Sequence, residues 1–185
     1  AHLAGELAGK RVLITGAGPI GALCTAIAAQ QGASEIVVTD LQDAALGVAT
    51  RMGATRVINV MRESAAMSDY EAEKGYFDLA FECSAAEPAI RSAVAALRPR
   101  GTMVQVGVAG DTSVPMNALV AKEITVQGTF RFNEEFGLAV DAITAGQIDV
   151  RPMVTHCFPL EQAREAFATA TDRSQSVKVH LNFGM

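Results

Sequence analysis

A chain of 185 residues accommodates one domain, or one domain and part of another, and half of its residues are apolar with a mean hydropathy of +0.24. Only 19% are charged, so a packed core is affordable and both disorder and collagen-like repeats are excluded. Fifteen Lys and Arg against 20 Asp and Glu leave a net charge of −5 and no basic surface for a nucleic acid, while cysteines at 24, 83 and 157 fit neither a disulfide framework nor a structural zinc site.

Taken in chain order, β-branched runs at 11–15, 35–39, 56–60, 77–82, 102–106 and 123–127 predict strands. Between most of them, Ala-rich stretches at 19–31, 42–52 and 87–97, and a poorer one at 64–74, predict helices. Continuous apolar runs such as VLI and IVV suit strands covered on both faces. The alternation therefore predicts an α/β fold, a doubly wound and mostly parallel Rossmann-type sheet with helices on both sides. Beyond Gly128 the rhythm changes to a helix at 134–145, a strand at 154–158, a helix at 160–168 and a last strand at 177–182. The uncharged stretch 12–34 does not read as a membrane helix, because glycines and Pro19 interrupt it, and residues 1–7 lack the basic start of a signal peptide. A cytoplasmic protein with no membrane or nucleic-acid partner is expected.

The chemistry lies at the first strand-to-helix turn. Residues 11–21 read RVLITGAGPIG, so Gly16, Gly18 and Gly21 form GxGxxG between an apolar strand and a helix, the context that gives the motif its meaning. Gly16 permits a tight turn, Gly18 leaves room for a diphosphate, and Gly21 lets the helix approach the strand. Pro19 suits the first helical turn, where N–H groups face an anion. The second strand ends in Asp40, 19 residues after Gly21, close to the interval of about 20 expected of the acid that accepts ribose hydroxyls. No Arg follows it at 41–42 to welcome a 2′-phosphate, so NAD is expected over NADP.

Tyr70 and Lys74 form YxxxK, the pair used by short-chain dehydrogenases, but they stand before the fourth strand and are read as a solvated helix face. His2, His156 and His180 lack neighbours at metal-ligand spacing, so neither a metal site nor a catalytic residue is assigned. Cys83, at the end of the fourth strand, is expected to line the carboxyl edge of the sheet without acting as a nucleophile. A glycine-rich turn followed by an acid also occurs in S-adenosylmethionine-dependent methyltransferases, although their loop is usually GxGxG, and a non-catalytic NAD-sensing module is a further alternative.

The segments TGAGPIG, EIVVTD, RMGATRVIN, FDLAFECSA, RPRGTMVQVGV, KEITVQGTFRF and VTHCFPLEQAREAF, in this order, resemble the second half of a zinc-dependent medium-chain dehydrogenase of the sorbitol dehydrogenase group, most of all its sugar-acid members. The resemblance implies hydride transfer from a polyol or sugar acid to a nicotinamide cofactor, with zinc held by an upstream GroES-like domain whose ligands are not in this chain. It divides the chain into a cofactor domain at 9–128 and a segment at 129–185 that would complete the catalytic domain, as in an excised cofactor half. It places Gly16, Gly18, Pro19, Ile20 and Gly21 at the diphosphate and Asp40 at the ribose. Cys83 and Ser84 would flank the adenosine side, Val106, Gly107, Val108 and Phe130 the nicotinamide end, and Arg131 the substrate. Where the family often has Lys or Arg, five positions after the ribose acid, this chain has Ala45. A homodimer joined through the edge segment 112–116 is expected by the same resemblance.

Overall fold

The structure, a computed structural model, describes residues 2–108 and 110–184. Six strands, β1 (Arg11–Thr15), β2 (Glu35–Asp40), β3 (Arg56–Asn59), β4 (Phe77–Glu82), β5 (Leu97–Gln105) and β6 (Thr125–Gly128), form one sheet in the order β3-β2-β1-β4-β5-β6. Every neighbouring pair is parallel. Sequence order reverses between β1 and β4, and at such a reversal the crevice beyond the carboxyl ends of the strands is left open for a ligand.

Helices α1 (Pro19–Gln30), α2 (Asp43–Arg51), α3 (Ser68–Glu71), α4 (Glu87–Ala96) and α5 (Met116–Lys122) cover the sheet. One apolar layer joins Val12, Ile14, Ile36, Val38, Leu79, Phe81 and Val104 with Leu46 and Ala49 of α2. The other joins Leu13, Val37, Ile58, Ala80 and Met103 with Ile90, Ala93 and Val94 of α4. Alternate residues of each strand thus point to opposite layers, and both layers are closed, which is why the strands carry unbroken apolar runs.

Three elements differ from the sequence reading. The stretch 64–74 is not one helix: two 3-10 turns flank the single turn of α3, and Glu73 and Lys74 take positive φ of 49° and 73° before Gly75. Strand β5 begins five residues earlier than the β-branched run, at Leu97 instead of Thr102, because Leu97 pairs with Phe77 and the RPRG stretch then bulges out before Thr102 meets Leu79. Residues 112–115 form no strand, and Met116 opens α5, which ends at Glu123 in the left-handed conformation. Lys122 at its last turn donates to the carbonyls of Val94, Ala95 and Leu97 at 2.6–3.1 Å, satisfying groups that the end of α4 leaves unpaired. The outer strand of the sheet on this side is β6.

After the sheet come α6 (Glu135–Thr144), β7 (Val154–Pro159), α7 (Ala163–Thr171) and β8 (Lys178–Asn182), with β7 and β8 pairing in parallel as a separate two-stranded sheet. This segment docks through Ile148, Met153 and Val177 against Ala22, Ala26, Val48 and Met52 of α1 and α2. Among the described residues no helix is long and apolar enough to cross a membrane.

Candidate functional site

The β1–α1 turn is built on contacts that only glycine allows. Gly16 takes φ of +88°, and a Cβ there would stand 2.9 Å from the Ser84 nitrogen. A Cβ on Gly21 would lie 1.8 Å from the Gly16 carbonyl oxygen, so the helix start is locked against the turn. Gly18 differs from both. A Cβ at Gly18 would meet nothing within 4 Å, so this residue opens onto the crevice instead of packing. It precedes Pro19, the first residue of α1, and Ile20 beside it is half exposed at 52%.

Asp40 reaches this turn from the end of β2. Its Oδ2 accepts the Ala17 N–H at 2.6 Å, and its Oδ1 accepts the N–H groups of Leu41 and Gln42 at 2.7 and 2.9 Å. The turn and the acid therefore form one unit, and about one of the roughly four acceptor positions of the carboxylate is left. The next residues are not free of cations in space. Arg62, from the turn after β3, sits 2.5 Å from Asp43 at the start of α2.

On the far side of the reversal, a residue that the sequence reading passed over organises the site. Glu82 closes β4, is wholly buried, and faces donors only. Its Oε1 accepts Thr15 Oγ1 at 3.2 Å, the Ser84 N–H at 2.9 Å and the Ser84 hydroxyl; both oxygens take the Ala85 N–H at 3.0 Å; Oε2 takes Gln105 Nε2 at 2.5 Å. Its backbone carbonyl accepts the N–H groups of Val106 and Gly107, both at 2.8 Å. A buried carboxylate is costly unless its acceptors are filled, and here they tie the ends of β1, β4 and β5 together. Gly107 packs directly on this clamp, since a Cβ there would lie 2.6 Å from the Ala85 nitrogen and 3.0 Å from Glu82 Oε2. A polar residue ending an apolar strand was the available signal for Glu82.

The remaining expected residues divide between two cavities. Gly107 and Val108 line one of about 510 Å³ with Ala85, Gln105 and Thr129. Val106, Phe130 and Arg131 line another of about 370 Å³ with Cys24, Phe81 and Val104. Arg131 takes φ of +60° and lays its guanidinium 5.0 Å from the Phe130 ring centre. Ser84 belongs to the Glu82 clamp, whereas Cys83 points its sulfur at Cys24 in α1, 3.9 Å away. The S–H donated to Cys24 and the surrounding burial push the Cys83 thiol up, and it stays protonated at neutral pH.

Tyr70 corrects one expectation. It is buried, not solvated, and its hydroxyl accepts Arg56 Nη1 at 2.9 Å while its ring packs on Tyr76 and Phe77. This aromatic cluster lies toward the amino ends of the strands, where Tyr76 donates to Glu35 at 2.7 Å, and so at the opposite edge from the crevice. Among the described residues no three His, Cys, Asp or Glu side chains come together as a metal site.

A profile of zinc-binding dehydrogenases matches residues 19–145. The chain belongs to the zinc-binding dehydrogenase family. It is 41% identical over 184 residues to L-idonate 5-dehydrogenase (NAD(P)(+)) of Escherichia coli K12, covering 99% of this chain and 53% of that protein. It is 36% identical over 169 residues to human sorbitol dehydrogenase, covering 89% of this chain and 47% of that protein. The crystal structure of the E. coli L-idonate 5-dehydrogenase superposes with a TM-score of 0.91 over 98% of this chain and 52% of that one, at 40% identity. The chain thus spans about half the length of the curated relatives it matches. These relatives bear out the resemblance to the sorbitol dehydrogenase group, and a methyltransferase or sensing module is not favoured.

Proposed function

We propose that this chain is the cofactor-binding half of an oxidoreductase that oxidises a sugar acid or polyol, with L-idonate to 5-keto-gluconate as the leading reaction and NAD preferred over NADP. The observation that carries this reading is the joining of Asp40 to the glycine turn through the Ala17 N–H, which brings an acid suited to a ribose beside the open side of Gly18. A nicotinamide dinucleotide, when bound, supplies the hydride acceptor. The turn residues Gly16, Gly18, Pro19, Ile20 and Gly21 hold its diphosphate, with the start of α1 offering N–H groups to the negative charge. Asp40 has room for one ribose hydroxyl, not two, because backbone N–H groups already fill its other positions.

Cys83 and Ser84 border the adenosine side. Val106, Gly107, Val108 and Phe130 border the nicotinamide end, and Arg131 faces the substrate carboxylate or hydroxyls. Residues 9–128 act as the cofactor domain and residues 129–185 complete a catalytic domain that holds the zinc. The exposed Phe136, Val140 and Ile143 of α6 support that division, since their spacing puts them on one apolar helix face in need of a cover, with Leu138 exposed on the other side. The odd, unpaired set of cysteines supports a cytoplasmic setting. A two-fold dimer is part of the reading; since residues 112–115 form no strand and β6 is the outer strand, an edge-to-edge pairing would have to run along β6 and not through 112–116.

Titration of the chain with reduced cofactors tests the reading. NADH should bind more tightly than NADPH, because Asp40 repels a 2′-phosphate by about one to a few kcal/mol at partly screened distance. Asp40→Ala should narrow the gap, and equal or tighter NADPH binding would overturn the preference. L-idonate and sorbitol should not reduce NAD on this chain even with added zinc; turnover there would overturn the division of labour between the two halves.

A further inference from the structure

The acid at the end of β2 is not alone at its edge of the crevice. Asp43 follows it by three residues and opens α2, so a second carboxylate stands on the same strand-to-helix turn as Asp40. On charge alone this edge would reject a 2′-phosphate strongly. The fold brings a cation to it from 19 residues further along, in the turn after β3.

That turn is a rigid platform. Asn59, buried at the end of β3, accepts the N–H groups of Arg62 and Glu63 at its carbonyl, at 3.0 and 2.8 Å, and the Met61 N–H at its side-chain oxygen, at 3.1 Å. Its side-chain amide donates to the Leu41 carbonyl at 3.2 Å and to Asp43 Oδ1 at 2.5 Å. One asparagine thus fixes both the turn that carries Arg62 and the carboxylate that receives it. Asp43 Oδ2 is left for Arg62 Nη1, 2.5 Å away, and the arginine side chain remains 72% exposed. The guanidinium is anchored by one nitrogen and keeps donors for a second anion, which is the geometry in which arginine bridges a carboxylate and a phosphate.

We propose that Arg62, held at the start of α2 by Asp43, is a specificity-determining residue that sets how far this chain tolerates a 2′-phosphorylated dinucleotide. The inference rests on the dinucleotide reading of the crevice given above. With Arg62 in place, Asp43 is neutralised and only Asp40 opposes the phosphate. Without it, two carboxylates do.

The test measures NADH and NADPH dissociation constants by nicotinamide fluorescence on the whole chain, the Arg62→Gln chain and the Asp43→Asn chain, at low and at high salt. Arg62→Gln should leave NADH within about twofold and weaken NADPH about two- to tenfold, the size of a solvent-exposed charge contact. Asp43→Asn, which releases the guanidinium, should tighten NADPH by a similar factor. Both shifts should shrink at high salt. Equal effects on the two cofactors, or none on NADPH, overturn the role of Arg62 while leaving the crevice reading intact. Failure of the unaltered chain to bind either cofactor overturns the crevice reading itself. If NADPH binding to the unaltered chain is below detection, Asp43→Asn decides, and no gain there overturns the proposal.

Discussion

In the six-stranded sheet, Val12, Leu13, Ile14, Val37, Phe77 and Phe81 are buried to 1% exposure or less, whereas α6 carries Phe136, Leu138, Val140 and Ile143 and buries no residue at all. The contrast continues at Phe130, Phe132, Phe167 and Phe183, each exposed by 64% or more. Residues of the same chemistry meet opposite fates because the sheet has helices on both faces, while the last segment packs on the rest through Ile148, Met153 and Val177 and leaves α6 uncovered. The sheet is self-sufficient, and its polar groups are spent on shaping the crevice. The last segment instead turns Phe136, Val140 and Ile143 outward.

The largest test of that contrast is inside the sheet. Glu82→Ala strips the partners from Thr15, Ser84, Ala85 and Gln105 and should lower stability by about 3–5 kcal/mol in denaturant unfolding, as removal of one side of a buried charged network does. A loss under about 1 kcal/mol would show that the clamp does not hold the strand ends. Next comes Gly21→Ala, whose methyl would sit 1.8 Å from the Gly16 oxygen and force the turn open. A destabilisation of about 1–3 kcal/mol and loss of NADH binding are expected, and retained affinity would separate the turn from the cofactor.

Asp78 gives a smaller effect with a pH signature. Burial opposes its ionisation, but the Arg11 N–H at 2.8 Å and the Arg98 guanidinium at 2.5 Å outweigh it and hold the carboxyl below its ordinary value. The stability this adds is complete above the unfolded value of about 3.9 and is lost as pH falls through the lower folded value. Asp78→Asn should therefore cost about 1–2 kcal/mol at neutral pH and flatten the decline below about pH 4. A parallel decline in both proteins would remove Asp78 from the acid limb.

The smallest effect on stability belongs to the outward face. Phe136→Ser with Val140→Ser, which share a face of α6, should change unfolding free energy by no more than about 0.5 kcal/mol each, yet reduce self-association in sedimentation at micromolar concentration. A large loss of stability would mean that α6 is part of the core and that the two regions are not different in kind.

Much of this was legible in the sequence, for local physical reasons. Apolar runs bounded by Gly and Pro fixed five strand starts, at Arg11, Glu35, Arg56, Phe77 and, less accurately, Glu123 in place of Thr125, because strand pattern and turn chemistry are written in neighbouring residues. The glycine turn was legible because a tight strand-to-helix turn needs glycine at particular positions, and Asp40 because it stands at the end of the second apolar run, 19 residues after Gly21. Strand β5 and helix α5 were less so: β5 starts at Leu97 because that residue pairs with Phe77 across the RPRG bulge, and α5 is seven residues long and held by Lys122 reaching the end of α4. Glu82 and Arg62 belong to the tertiary structure altogether. Nothing near Glu82 in sequence announces that Thr15 and Gln105 will converge on it, and Arg62 stands 22 residues after Asp40 in the chain. Sequence by itself determined the glycine turn and most of the elements, though not α5 or the broken stretch at 64–74, because those it determined depend on backbone freedom and periodicity. Packing decided which charges share a site, because parallel strands bring together at one edge residues that the chain keeps far apart.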